Sequence, residues 1–114
     1  MPGHRIRIED EPRRVRGLVG DQVVFDTSRA KLLHEGRLPV RLYVPREDVD
    51  MSLLVPSEKR THCPFKGDAS YWSLRLDDRV EEDLFWGYED PKPGVAEIAG
   101  HLAPYADRLT LSRE

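Results

Sequence analysis

The chain has 114 residues, of which 39% are hydrophobic and 34% are charged, and its formal net charge is −3. This length and composition predict one globular domain, residues 1–114, and exclude a disordered chain. The negative charge argues against non-specific nucleic-acid binding, and the longest apolar runs are too short to cross a bilayer.

The chain contains one cysteine, Cys63, so no internal disulfide can form. A reducing compartment is the simpler assumption for such a chain. The N-terminus lacks the apolar segment of a secretory signal. We therefore expect a cytoplasmic protein that binds neither nucleic acid nor membrane; its oligomeric state stays open.

The first half of the chain alternates between apolar and polar residues, which predicts β-strands. We expect strands at 6–8, 15–19, 22–26 and 40–44. A hairpin turn is predicted at Gly20 and Asp21. Residues 30–35 fit either a strand or a helical turn, and residues 45–48 fit a turn or a single helical turn.

The second half combines strands with a helical pattern. A brief strand is expected at 51–55, an irregular connection at 56–67, and strands at 68–76, 84–88 and 108–113. In the last but one of these, Leu84, Trp86 and Tyr88 share a face. Apolar residues at positions 95, 98, 99 and 102 have helical spacing. The fold class is therefore mainly β, an α+β domain with one C-terminal helix.

Residues 61–72, THCPFKGDASYW, carry the reactive side chains of a candidate site. Cys63 is a reactive thiol if Lys66 lowers its pKa; the alternatives are a small buried hydrophobic residue and the wall of a non-covalent pocket. Lys66 can bind an anion or, if desolvated, attack a carbonyl; the alternative is a surface lysine. His62 points away from Cys63 in an extended segment and is a poor base for it.

Other side chains are candidates for binding or for metal ligation. Trp72, Trp86 and Tyr88 form either the wall of a cleft or part of the core. Asp26 is a capping residue or a pocket carboxylate. Asp48 and Asp50 are a weak cation site or a solvated turn. The histidines His4, His34, His62 and His101 are scattered and there are no paired cysteines, so no metal site is predicted.

The chain resembles the domain-of-unknown-function-427 family of small bacterial and fungal proteins over nearly its whole length. The most specific matching block runs from Thr61 to Trp72, with the Cys-Pro-Phe-Lys-Gly sequence inside it. The other matching residues are Val24-Phe25-Asp26-Thr27, Glu35, Leu42-Tyr43-Val44-Pro45 with Asp48-Val49, Trp86-Gly87-Tyr88 with Pro91, and Ile98-Ala99-Gly100. Pro104 departs from the family pattern, which usually has an aromatic residue just before Tyr105.

The resemblance implies a compact antiparallel β structure similar to the Mss4-like β-tent, with a cleft between sheets. Relatives of that shape often hold zinc on cysteine pairs, which this chain lacks. The family is sometimes listed under a nucleotidyltransferase label. Nucleotidyl transfer relies on metal ions held by carboxylates against phosphates, for which this chain offers only Asp48 and Asp50.

Our leading hypothesis is a cleft that binds a small organic or anionic molecule. One alternative is an enzyme, either nucleotidyltransferase-like or dependent on Cys63 and Lys66 as candidate catalytic residues; the other is a protein-interaction module. No cofactor is identified. The candidate ligand-binding residues are Arg16, Asp26, Tyr43, Asp48, Thr61, Tyr71, Trp72, Trp86 and Tyr88.

Overall fold

The computed structural model describes residues 5–114, and antiparallel β-structure dominates this part of the chain. The strands are β1 (Ile6–Asp10), β2 (Val15–Val19), β3 (Gln22–Thr27), β4 (Lys31–Glu35), β5 (Arg41–Tyr43), β6 (Leu54–Cys63), β7 (Gly67–Leu76), β8 (Arg79–Gly87), β9 (Ala103–Pro104) and β10 (Thr110–Arg113). They form sheets in the orders β1-β4-β5, β10-β2-β3 and β6-β7-β8-β9. The mainly-β class is confirmed. No helix among the described residues is long and apolar enough to span a membrane.

Alternation located the strands of the first half correctly. In β2 the residues Val15, Gly17 and Val19 are buried while their neighbours are half-buried. The hairpin turn that follows contains Gly20, whose φ of 59° suits glycine. The ambiguous residues 30–35 form strand β4, which pairs with both β1 and β5. The helical turn predicted at 45–48 is a short 3-10 turn, Arg46–Asp48.

The irregular connection predicted at 56–67 is wrong, because most of it is the ten-residue strand β6. The register of β6 against β7 shifts between Pro56 and Arg60, which indicates a bulge where proline has no N–H to donate. This strand lies at the edge of its sheet and is mostly exposed, so it lacks the apolar alternation of a half-buried strand. The brief strand predicted at 51–55 is partly wrong, since Met51–Leu53 is a 3-10 turn and β6 begins at Leu54.

The predicted C-terminal helix is also replaced by shorter structure. Pro93–Ile98 consists of two 3-10 turns separated by a kink at Val95, and residues 5–114 contain no α-helix. Val95, Ile98 and Leu102 are nevertheless buried, so three of the four apolar positions face the core, whereas Ala99 is exposed. The segment is bounded by Pro91 and Pro93 and ends near Gly100, which has a φ of 72° and stops a regular helix.

Two apolar clusters form the core, and strands β7 and β8 contribute to both. The first cluster contains Trp72, Leu74, Leu84 and Phe85, together with residues of β2, β3 and β5. The second cluster contains Leu33, Tyr43, Ala69, Tyr71, Trp86, Tyr88, Val95, Ile98 and Ala103. Leu84 and Trp86, predicted on one face, therefore lie in different clusters. The register of β7 against β8 shifts between Trp72 and Leu74, and Asp83 has a φ of 50°, so strict alternation fails here.

Gly87 allows the chain near His101 to approach strand β8. A Cβ at this position would lie 2.4 Å from the carbonyl oxygen of His101. Immediately after this contact, Leu102 pairs with Val44 through two backbone hydrogen bonds of 2.8 Å. The close approach therefore connects the sheet β6-β7-β8-β9 to the end of β5. It also places Tyr105 at the edge of the second cluster.

Candidate functional site

A group of aromatic side chains lies where strands β7 and β8 pair. Tyr71 and Trp86 are directly opposite each other in the register, and 7% of each residue is exposed. The Tyr71 hydroxyl lies 2.9 Å from Thr61 Oγ1, and Trp86 Nε1 donates to the Tyr43 hydroxyl at 3.2 Å. The ring of Tyr105 lies against Trp86, with centroids 4.6 Å apart and a tilt of 47°. Side chains from four strands and the chain after β9 thus meet in one place.

Two cations cover the rings of this aromatic pair. Lys59 Nζ lies 4.7 Å from the centroid of Tyr71, and the guanidinium carbon of Arg41 lies 5.4 Å from the centroid of Trp86. Neither cation forms a salt bridge with a carboxylate of residues 5–114. We call the group Arg41, Lys59, Tyr71, Trp86 and Tyr105 the cationic aromatic site.

The second feature of this region is a buried ion pair. Lys66 Nζ donates to Glu35 Oε1, and both residues are 8% exposed. The backbone nitrogen of Lys92 donates to the Lys66 carbonyl oxygen at 2.9 Å. This ion pair joins the end of β4 to the turn between β6 and β7. It therefore links two sheets. Both charges are removed from water, so each needs an oppositely charged partner.

Cys63 packs half-buried against the second cluster, close to this ion pair along the chain. Burial raises the pKa of Tyr43, although the hydrogen bond from Trp86 opposes the rise. Burial, and then the neighbouring Tyr43 and Cys63, raise the pKa of Tyr88. Both phenols therefore stay protonated at neutral pH and can serve as hydrogen-bond partners.

Tyr105 connects the aromatic pair to solvent. Burial raises the pKa of this phenol, and the neighbouring Tyr71 raises it further, whereas Arg41 and Arg108 act to lower it. Tyr105 is half-buried, so part of this residue remains exposed to solvent.

The structure brings together several of the predicted ligand-binding residues. Thr61, Tyr71, Trp86, Tyr88 and Tyr43 contact or border the second cluster, as do the catalytic candidates Cys63 and Lys66. These side chains come from the segment 61–72, from strands β5 and β8, and from Tyr88 directly after β8.

Four predicted site residues lie elsewhere. Trp72 is in the first cluster, on the opposite face of β7 from Tyr71, with Arg46 over its ring. The other three are held in separate polar contacts: Arg16 lies near Glu114, Asp26 is bound by Arg14, and Asp48 accepts hydrogen bonds from Thr27 and Arg29. Asp50, which was considered with Asp48 as a weak cation site, accepts a hydrogen bond from the Ser52 hydroxyl.

His62 lies on the opposite side of β6 from Thr61 and Cys63, as predicted. Its Nδ1 is 2.7 Å from Asp68 Oδ1, and both side chains are largely exposed. They border a hollow of about 400 Å³, with Arg60, Thr61 and Ser70. Residues 5–114 contain no group of three or more His, Cys, Asp or Glu side chains that could hold a metal ion, and His4 lies outside the described residues.

Sequence reasoning missed four residues of the site and its surroundings: Glu35, Arg41, Lys59 and Tyr105. Arg41 had a usable signal, because it alternates with Leu42 and so shares a side of β5 with Tyr43. Lys59 lies on the same side of β6 as Thr61 and Cys63. The sequence could indicate this only if residues 54–63 had been predicted as a strand. The partnership of Glu35 with Lys66 joins positions 31 residues apart, and no local pattern predicts it.

These features define a small, mainly-β protein domain with a cationic aromatic site beside a buried ion pair. The profile of a family described as "Domain of unknown function (DUF427)", labelled NTP_transf_9, matches residues 7–114. The chain therefore belongs to the domain-of-unknown-function-427 family. A search of curated proteins found no match.

Proposed function

We propose that this domain binds a small organic anion at the cationic aromatic site. A flat part of the ligand contacts Tyr105 and the edge of Trp86, and its anionic group lies between Arg41 and Lys59. One observation carries the proposal: two cations that form no salt bridge with a carboxylate of residues 5–114 lie over the two rings of a directly paired Tyr71 and Trp86.

The two cations of this site have different partners from most other arginines in the chain. Arg14 forms a two-pronged pair with Asp26, and Arg29 forms one with Asp48. Such pairs use up the N–H groups that a ligand would need. Arg41 and Lys59 instead lie over aromatic rings, which attract the cations but leave their N–H donors available to an anion.

Binding can be tested with three ring compounds that differ in charge: benzoate, benzyl alcohol and benzylamine. The Trp72→Phe variant leaves Trp86 as the only tryptophan, so its fluorescence reports on this site. We expect benzoate to bind in the millimolar range, appropriate to so small a ligand, and more tightly than the neutral or cationic compound. Equal affinity for benzylamine, or no response to benzoate, contradicts the proposal.

Substitutions localise the binding. Arg41→Gln and Lys59→Gln should each weaken benzoate about fivefold, equivalent to the ~1 kcal/mol of a partly exposed charge pair. Arg75→Gln is the matched control, because Arg75 is exposed at a different hollow near two hairpin tips. An equal loss of affinity in the Arg75 variant would indicate a general effect of net charge.

A second candidate function is thiol chemistry at Cys63, which lies half-buried beside phenols and near a buried ion pair. Lys66 is held by Glu35, so the thiol is the better candidate for a nucleophile. The rate of alkylation by iodoacetamide, measured against pH, tests this function. An activated thiol reacts below the ordinary cysteine pKa of about 8.5, and a rate that titrates near that value removes this candidate.

A further inference from the structure

We infer that the anionic group bound at the cationic aromatic site is a phosphate monoester. The inference rests on the proposed function and specifies its ligand. Two positive charges from separate strands, Arg41 of β5 and Lys59 of β6, lie over neighbouring rings. A carboxylate carries one charge and can form a full ion pair with only one of the two cations. A phosphate monoester carries about −1.5 to −2 at pH 7 and matches both.

The hydrogen-bond donors of the site also suit three acceptor oxygens. A guanidinium presents up to five N–H groups and an ammonium presents three. Hydroxyl groups of Thr61 and Tyr71 lie 2.9 Å apart beside Lys59, and one of the two can donate outward. The flat part of the ligand then lies against Tyr105, whose ring already contacts Trp86.

Acidic side chains restrict the rest of the ligand. A hollow of about 500 Å³ next to Lys59 and Tyr105 is also lined by Glu82, Asp83 and Asp107, with Arg108 beside them. These carboxylates repel a second anionic group, and Arg108 is engaged by Glu81 and the Asp83 carbonyl oxygen. The ligand class is therefore a ring compound with one phosphate monoester and with hydroxyl or amino donors, not a polyphosphate.

The test compares phenyl phosphate with benzenesulfonate, which has the same ring and keeps one negative charge. Affinities of the wild-type chain are measured from about pH 5 to about pH 7.5, across the second ionisation of the phosphate near ~6. We expect phenyl phosphate to gain about tenfold more affinity than benzenesulfonate over this range, a difference of ~1.4 kcal/mol. Arg41→Gln and Lys59→Gln should each reduce that gain, and Arg75→Gln should not.

Benzenesulfonate also controls for titration of the protein. The charged and titratable groups that face the site are Arg41 and Tyr43 of β5, Lys59 and Cys63 of β6, Tyr71 of β7, Glu82 and Asp83 of β8, and Tyr105, Asp107 and Arg108 after β9. A change in any of these groups would affect both ligands, so only the difference between them reports the second phosphate charge.

The possible outcomes distinguish the phosphate inference from the proposed binding of organic anions. Equal pH dependence of phenyl phosphate and benzenesulfonate overturns the phosphate inference and leaves binding of organic anions intact. Absence of binding by both overturns the proposed function itself. If inorganic phosphate binds as tightly as phenyl phosphate, the ring contributes nothing to affinity. That result would overturn the assigned ligand class.

Discussion

Glu11 is a buried carboxylate held by two arginines. It accepts hydrogen bonds from the Arg13 backbone nitrogen and Nε, each at 3.0 Å, and from Arg113 Nε at 3.2 Å, and only 1% of its side chain is exposed. These contacts join the turn after β1 to the last strand, β10. The hydrogen bonds from Arg13 are the main reason that the pKa of Glu11 falls from 4.5 to about 2.

This pKa predicts how stability depends on acid. A carboxyl with a lowered pKa contributes fully to stability above its unfolded value of 4.5, and the contribution is lost as pH falls toward about 2. The shift corresponds to up to about 3 kcal/mol. The difference in unfolding free energy between wild type and Glu11→Gln should therefore be largest above pH ~5 and should shrink on acidification. Urea unfolding at several pH values measures it.

Glu58→Gln is the control for this experiment, because Glu58 is an exposed residue of the edge strand β6. Other carboxyls with lowered pKa, such as Glu9 and Asp26, also make the chain less stable in acid. They affect wild type and variant alike, so the difference isolates Glu11. A difference that stays constant between pH ~5 and ~2 contradicts the assignment.

At the scale of residues, the sequence predicted those side chains of the site that lie close together along the chain. Thr61, Cys63 and Tyr71 all belong to the segment 61–72, which the sequence singled out for its reactive side chains, and they lie on one side of the β6–β7 hairpin. Arg16, Asp26 and Asp48 were predicted from their residue types and their immediate sequence context. Their actual partners are Glu114, Arg14 and Arg29, at positions that no local pattern relates to them.

At the scale of elements, prediction succeeded where a strand is half-buried. Strand β2 has one buried face, which its sequence shows as alternation. Strand β6 has little burial on either face, and the sequence gives no such signal. The segment 93–98 shows the opposite error: its apolar residues have helical spacing, but prolines and glycines limit it to 3-10 turns.

The buried ion pair of Glu35 and Lys66 allows a prediction about how strand β4 and the β6–β7 turn are coupled. Removal of one partner of a buried pair takes away an attraction that offsets the cost of burying the other charge, so Lys66→Met should destabilise the fold by about 3 kcal/mol or more. In a double-mutant cycle with Glu35→Gln, the two substitutions should interact by about 1–3 kcal/mol. Urea unfolding of the four proteins gives this coupling energy.

An exposed pair in the same hairpin is the matched control. His62 and Asp68 lie 2.7 Å apart, but their side chains are 65% and 82% exposed. A cycle with His62→Gln and Asp68→Asn should give less than ~1 kcal/mol, because solvent screens the pair. Equal coupling energies in the two cycles, or additive effects at Glu35 and Lys66, would show that the buried pair does not link the elements.

At the scale of the whole molecule, the arrangement of sheets depends on pairings between distant segments. Strand β1 pairs with β4, and β2 pairs with the C-terminal strand β10. Local periodicity can indicate each strand but not its neighbour, so the mainly-β class was predictable and the three-sheet topology was not. The same topology distributes the core over two clusters that share β7 and β8.

This sharing predicts that both clusters unfold in one transition. Trp72 reports on the first cluster and Trp86 on the second, and the chain contains no other tryptophan. Since β7 carries Trp72 and Tyr71 on opposite faces, neither cluster can lose its packing without exposing the strand that the other needs. A structure of this size whose clusters share two strands should unfold in a two-state transition.

The Trp86→Phe and Trp72→Phe variants separate the two reporters. In each variant, the urea midpoint from tryptophan fluorescence should coincide with the midpoint from far-ultraviolet circular dichroism, even if the substitutions change stability by different amounts. Comparison within one variant removes that difference in stability. If Trp86 fluorescence changes at a lower urea concentration than the dichroism of the same protein, the second cluster opens on its own. The cationic aromatic site would then be formed by a separately melting part of the domain, not by the fold as a whole.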